Sequence, residues 1–129
     1  VEISAAQLTA GKTSGWERRS YGDTLALCQR YFYAAGQADF RGMAYSTTSL
    51  TAFIYFPVDM RIAPTGTYPA GTYTVDLTNI SSKSSTAAVS DYNPQRRGSG
   101  FYQGGYTGLT AFNPCVVTAH PGITYSAEL

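Results

Sequence analysis

Charge is scarce in this chain. Asp, Glu, Lys and Arg make up 13% of its 129 residues, about half the share usual in a globular domain. With a net charge of +1 there is no basic stripe of the kind that duplex nucleic acid or an anionic lipid surface demands, so neither is an expected partner. Histidine is limited to His120. Without a second histidine or a Cys-x-x-Cys pair it cannot build a metal set, and it reads as a turn residue before Pro121. No metal and no cofactor are expected. No apolar run approaches the roughly 18 residues of a membrane span, and the first residues, VEISAAQLTAGK, carry neither the basic nor the apolar region of a signal peptide, so membrane insertion is not expected. No repeat with a period of roughly 20 to 50 residues is present, which argues against solenoids and propellers.

Catalytic groupings are equally thin. The many Ser and Thr hydroxyls, and the thiol of Cys28, share one distant histidine as their only activating base. Asp39, Asp59, Asp76 and Asp91 are scattered, whereas a glycosidase needs two carboxylates facing one another across a cleft. The stretch AQLTAGKT from Ala6 to Thr13 approximates a phosphate loop with Ala for the first Gly, but Gly15 and Trp16 interrupt the long helix that must follow one. Asn79-Ile80-Ser81 reads as a turn rather than a glycosylation acceptor. The reading is therefore of a protein that is not an enzyme.

What the chain does have is Ser, Thr, Gly and 11 Tyr, in a length that makes one domain able to bury roughly two thirds of its unfolded surface. After a short strand-like piece from Glu2 to Leu8, a helix is predicted to begin at an Asp23 cap, with Leu25, Cys28 and Phe32 on one face. A helix of two to three turns, on the order of ten residues, is marginal alone. It is expected to press that face, with Cys28 as a buried free thiol, against a sheet. The remainder reads as strands over Met43–Thr47, Leu50–Phe56, Met60–Ile62, Thr72–Leu77, Thr86–Ser90, Gly100–Thr107, Val116–Ala119 and Ile123–Glu128, each bounded by Gly, Pro, Asn or Ser. Tyr73, Val75 and Leu77 alternate with Thr74, Asp76 and Thr78, the period of a strand with one buried side. Ser81–Thr86 reads as a mobile polar loop. The expected fold is mainly β, an antiparallel β-sandwich of jelly-roll-like character with one short N-terminal α-helix.

The segment Asp91 to Gly108, DYNPQRRGSGFYQGGYTG, is the richest in binding chemistry. Arg96 and Arg97 supply donor forks, Tyr92, Tyr102 and Tyr106 supply flat rings, and Asp91 supplies an acceptor. A pyranose presents C–H groups to a ring and hydroxyls to such polar groups. Single-stranded nucleic acid uses similar residues but calls for more positive charge than this chain has. The competing structural reading is that half or more of these rings alternate into the core. The candidate carbohydrate-binding set is Asp91, Tyr92, Arg96, Arg97, Tyr102 and Tyr106.

The run GKTSGWERRSYGDTLALCQRYFY resembles a segment of bacteriophage and prophage tail-fibre and tailspike proteins, approximately QLE-x-G-x-x-AT-x-FE-x-R-x-Y-G-x-EL-x-LCQRYY. Here it is matched by Gln7, Leu8, Gly11, Trp16, Glu17, Arg19, Tyr21, Gly22, Leu25, Leu27, Cys28, Gln29, Arg30, Tyr31 and Phe32. A second signature, FPV-x-MR-x-x-PT, is matched at Phe56, Pro57, Val58, Met60, Arg61, Pro64 and Thr65, and the final ITYSAEL is similar to the AEL ending of the same proteins. The chain departs from the pattern at Thr13 to Trp16, where the family more often has Ala-Thr-Pro-Phe.

The resemblance implies a C-terminal module of a virion fibre or spike, made in the bacterial host cytoplasm and carried on a homotrimer. Residues 1–20 would be the lead-in strand and linker from an upstream shaft, and residues 21–129 the β-sandwich module. Its implied role is non-catalytic recognition of bacterial surface polysaccharide, lipopolysaccharide or capsule. The alternative is a module that trimerises or caps the fibre while another domain reads the host. In either case the helix is expected to plug one side of the sandwich, with Phe56–Thr65 as a neighbouring strand ending at Pro64.

Overall fold

The structure is a computed structural model, and it describes residues 19–78 and 80–128. The expected strand at Glu2–Leu8, the AQLTAGKT stretch and nearly all of the 1–20 lead-in lie outside the described residues, as does Asn79 of the expected turn.

Two antiparallel sheets of unequal size form a sandwich, as the strand pattern leads one to expect. The helix α1 spans Tyr21–Gln29 and runs into β1 (Phe32–Ala34). Then follow β2 (Arg41–Ala44), β3 (Leu50–Tyr55), β4 (Thr65–Thr67), β5 (Tyr73–Leu77) and β6 (Ile80–Ser85). The last four are β7 (Val89–Gln95), β8 (Gly98–Gln103), β9 (Pro114–Ala119) and β10 (Thr124–Ser126). The small sheet has the order β1-β10-β4 and the large, seven-stranded one β6-β5-β9-β2-β3-β8-β7.

Alternation decides what lies between the sheets. On β3, Leu50, Ala52 and Ile54 point inward, and on β5 Tyr73, Val75 and Leu77 do so, as their spacing predicts. Against them the small sheet sets Tyr125, which is fully buried. Its ring lies 5.2 Å from Phe56 and 6.4 Å from Phe40, and Phe40 in turn meets Phe101 at 5.2 Å. Most of these rings meet edge to face, the arrangement their quadrupoles favour, each pair adding about 1 kcal/mol to simple burial.

Several expectations need correction. The N-cap of α1 is Ser20, not Asp23: Ser20 Oγ accepts from the Asp23 N–H at 3.1 Å and donates to the Asp23 carboxylate at 2.7 Å. Asp23 occupies the first turn, where its charge suits the helix dipole. No residue of α1 is buried, Leu25 is 41% exposed and Cys28 is exposed, so the helix does not plug the sandwich. The packing expected of it is done one turn later by Tyr33, whose ring meets Phe56 at 5.5 Å. Ser81–Thr86 is not a loop: residues to Ser85 form β6, paired with β5 through Tyr73↔Ser85 and Val75↔Lys83. An edge strand gains from polar and charged residues that discourage further pairing, and loop-like composition on that account does not exclude a strand. Met60–Ile62 is not a strand, and Met60 is buried in a loop that precedes β4.

The three sequence signatures meet in space. LCQRYF leads into β1, FPVDMRIAP leads into β4, and ITYSA contains β10, so together they build the small sheet. Arg61 N–H donates to the Arg30 carbonyl at 2.8 Å and its guanidinium lies 5.8 Å over the Tyr31 ring. Among the described residues no helix is long and apolar enough to cross a membrane.

Candidate functional site: the outer face of the large sheet

The outward positions of the large sheet are unusually aromatic. Register places Arg41 opposite Phe53, and Phe53 and Tyr92 on either side of Gly100, in one row across β2, β3, β8 and β7. The next row runs Met43, Thr51, Tyr102, Ser90. Tyr55, at the end of β3, is 85% exposed. Phe53 and Tyr92 meet edge to face at 5.5 Å over Gly100, where a Cβ would come within 2.7 Å of the Phe53 ring.

Two loops raise one end of this surface. Phe112 holds a backbone φ of 63°, a left-handed conformation that a bulky residue rarely adopts, and it is fixed there by its N–H bond to the Ala44 carbonyl at 2.8 Å. Its ring is 76% exposed and rises beside Tyr45, itself exposed. Between these loops and the Phe53–Tyr92 row lies a groove of about 810 Å³, lined by Arg41, Met43, Tyr45, Thr51, Phe53, Tyr92, Tyr102 and Phe112 with the backbone of Gly42. Smaller hollows adjoin it. One of about 300 Å³ runs past Phe53 to Asn93, Gln95 and Arg97, and another of about 370 Å³ joins Asp39, Arg41, Phe53 and Tyr55.

Of the residues singled out from the sequence, the groove brings together Tyr92 and Tyr102. Arg97, in the two-residue turn between β7 and β8, borders the smaller hollow and pairs with Asp59 at 3.2 Å across an exposed surface, an ion pair of little energetic weight. Arg96 has a structural task. Its Nε donates to the Met60 carbonyl at 2.9 Å while the Met60 N–H donates to the Arg96 carbonyl at 2.8 Å, fastening the hairpin tip to the FPVDM loop. Asp91 is likewise engaged in the scaffold. It accepts from Tyr68 Oη at 2.5 Å and the Gly66 N–H at 3.3 Å, tying β7 to the β4 strand and the segment after it. Burial and that carboxylate push the Tyr68 hydroxyl far above its usual range.

Tyr106 is corrected from a candidate ligand contact to a core residue. It is 1% exposed, and its hydroxyl donates to Gln103 Oε1 at 2.6 Å, while Gln103 Nε2 donates to the Ala87 carbonyl. Burial raises its pKa. His120 is also internal. Its Nδ1 accepts from the Gly122 and Ile123 N–H groups, which leaves Nε2–H to donate to the Gly36 carbonyl at 3.0 Å. Among the described residues no three His, Cys, Asp or Glu side chains cluster as metal ligands.

Arg41, Met43, Tyr45, Phe53, Tyr55 and Phe112 escaped the sequence reading. The signal for two of them was present in LTAFIYF, where, Thr51 apart, both alternating sets are apolar or aromatic. A strand of that kind in a two-layer fold has more apolar surface than the core can use.

Fold and surface together define a two-sheet antiparallel β-sandwich whose larger sheet carries an aromatic groove on its outer face. Compared with protein families, curated proteins and solved structures, the chain finds no match in any of the three.

Proposed function

We propose that this chain is a non-catalytic receptor-binding module of a bacteriophage tail fibre or tailspike, which holds bacterial surface polysaccharide on the outer face of its large sheet. The resemblance carried by CQRYF, FPVDMR and the AEL ending supplies the virion setting. The observation that carries the binding role is one groove in which exposed Phe53 and Tyr92 share a row with Arg41 and exposed Tyr102 stands in the next row. Aromatic rings clustered in a groove on the outer side of a sheet, with a charged group beside them, are the kind of lining a ligand site has. Flat rings stack on the C–H face of a sugar, while the Tyr hydroxyls and the guanidinium reach its hydroxyl rim. Titration of host lipopolysaccharide or capsule with the purified chain tests this. Binding that is lost in Phe53→Ala and Tyr102→Ala supports it, and equal binding by those variants overturns it.

A second reading, a trimerising or capping module, draws on a different surface. The nine-residue α1 buries none of its residues, and Tyr21, Leu25 and Leu27 are exposed beside Tyr31, Phe32 and Ile62. On that reading another domain reads the host, but a homotrimer joined through the helix end serves the first reading too, with sugar held on each subunit's sheet. Three weak sites on one trimer would then act together through effective concentration.

A further inference from the structure

We infer that the saccharide taken by the groove is acidic, its anionic group seated on Arg41; this rests on the carbohydrate reading above. Arg41 occupies the middle of the large sheet, opposite Phe53 on β3 and Val116 on β9. Among the described residues it is the one charged residue lining the groove. Among the described residues it has no ion pair and no side-chain hydrogen bond, whereas Arg97 pairs with Asp59, Arg96 bonds to Met60 and Arg61 lies over Tyr31. Two carboxylates, Asp39 and Asp76, border adjacent hollows that Arg41 also lines, and neither comes within ion-pair distance of its guanidinium. Asp39 accepts from the Gly36 N–H at 2.7 Å, and Asp76 accepts from Ser82.

Whatever covers these rings also removes water from the guanidinium. A partner that brings no negative charge leaves a desolvated cation, which costs several-fold to many-fold in affinity. A carboxylate or phosphate accepts from the guanidinium fork in a bidentate pair and offsets that loss. The anion is thus a uronate-type carboxylate or a phosphate ester on the sugar chain.

The test is an array of purified bacterial capsular and O-polysaccharides, acidic and neutral, probed with the intact chain and with Arg41→Gln, Arg41→Lys and Phe53→Ala. Binding is expected to select acidic polymers, to fall tenfold or more in Arg41→Gln and less in Arg41→Lys, and to weaken with added salt. Carbodiimide reduction of the bound polymer abolishes binding if the anion is a carboxylate, and phosphatase or hydrofluoric acid treatment does so if it is a phosphate. Neutral polymers bound as tightly, or an Arg41→Gln variant that binds like the parent while Phe53→Ala does not, overturns the acidic assignment and leaves the carbohydrate reading standing. No polymer bound by any form, or binding indifferent to Phe53→Ala, overturns both.

Discussion

The backbone N–H of Ala127 donates to the carbonyl of Tyr31 at 2.7 Å, so the end of the described chain closes against the residue just past its helix. Ala127 is fully buried there, one residue beyond β10. With Arg61 bonded to Arg30 from the other side, segments from the beginning, middle and end of the sequence are locked at one place.

Ala127→Glu is accordingly expected to destabilise the domain by about 3 kcal/mol or more, since it buries an unpaired charge where a methyl group now packs. Urea unfolding followed by tyrosine fluorescence measures it. A midpoint unchanged from the parent would show that this junction is not part of the cooperative unit.

Leu25→Asp is expected to leave the fold intact, with a change within about 0.5 kcal/mol, because the side chain is 41% exposed on a helix with no fully buried residue. Its effect should fall on assembly instead. Sedimentation velocity of parent and variant separates the two: a smaller species for Leu25→Asp at equal thermal stability ties the helix face to self-association.

Tyr102→Ala and Tyr106→Phe should act in opposite ways. Tyr102 lies in the groove, so its loss weakens saccharide binding and changes stability little. Tyr106→Phe removes the donor to Gln103 Oε1 inside the core and costs about 1–3 kcal/mol. Saccharide affinity of the folded Tyr106→Phe protein, measured by titration, should equal that of the parent.

The two thiols should also separate. Cys28 is exposed and Cys115 buried, so Ellman's reagent is expected to titrate one of the 2 cysteines in the native protein and both in denaturant. Burial pushes the Cys115 thiol up from 9.0 to about 11. The folded protein therefore holds this proton at a pH where the unfolded chain has released it. That contribution is fully present below pH 9 and is lost progressively as pH rises through about 11, by about 2–3 kcal/mol in total. Tyr125, pushed to about 12 chiefly by burial, extends the decline upward. Denaturant midpoints between pH 8 and 11 should fall for the parent and fall less for Cys115→Ala.

The strands were legible where one side is wet and the other dry. Tyr73 to Leu77 is the clearest case, since its alternation is the whole signal and the structure follows it. β6 was illegible for the opposite reason. Its Ser and Lys residues carry no alternation to read, and its pairing to β5 is a main-chain interaction that composition does not encode. The helix was found but its orientation was not, because Leu25, Cys28 and Phe32 at helical spacing describe an apolar stripe without stating that anything covers it. Within the candidate site, Tyr92 and Tyr102 could be picked out by residue type. Tyr106 could not be told from them, four residues on in the same glycine-rich run, until Gln103 was seen to receive its hydroxyl. The β2 and β3 contributors depend on strand register, which brings Arg41 opposite Phe53 across one hairpin and which residue type alone does not encode.

Gly100 has no side chain, and the Phe53 ring lies in the space one would fill, braced laterally by Tyr92. That ring has main chain beneath it and an aromatic edge beside it, so its rotamer is chosen when the sheet forms. A ligand stacked on Phe53 would meet a side chain whose entropy has already been surrendered, without the ordering cost that the loop-borne rings of Tyr45 and Phe112 would incur. A methyl group at position 100 would undo this economy while leaving every ring in the sequence.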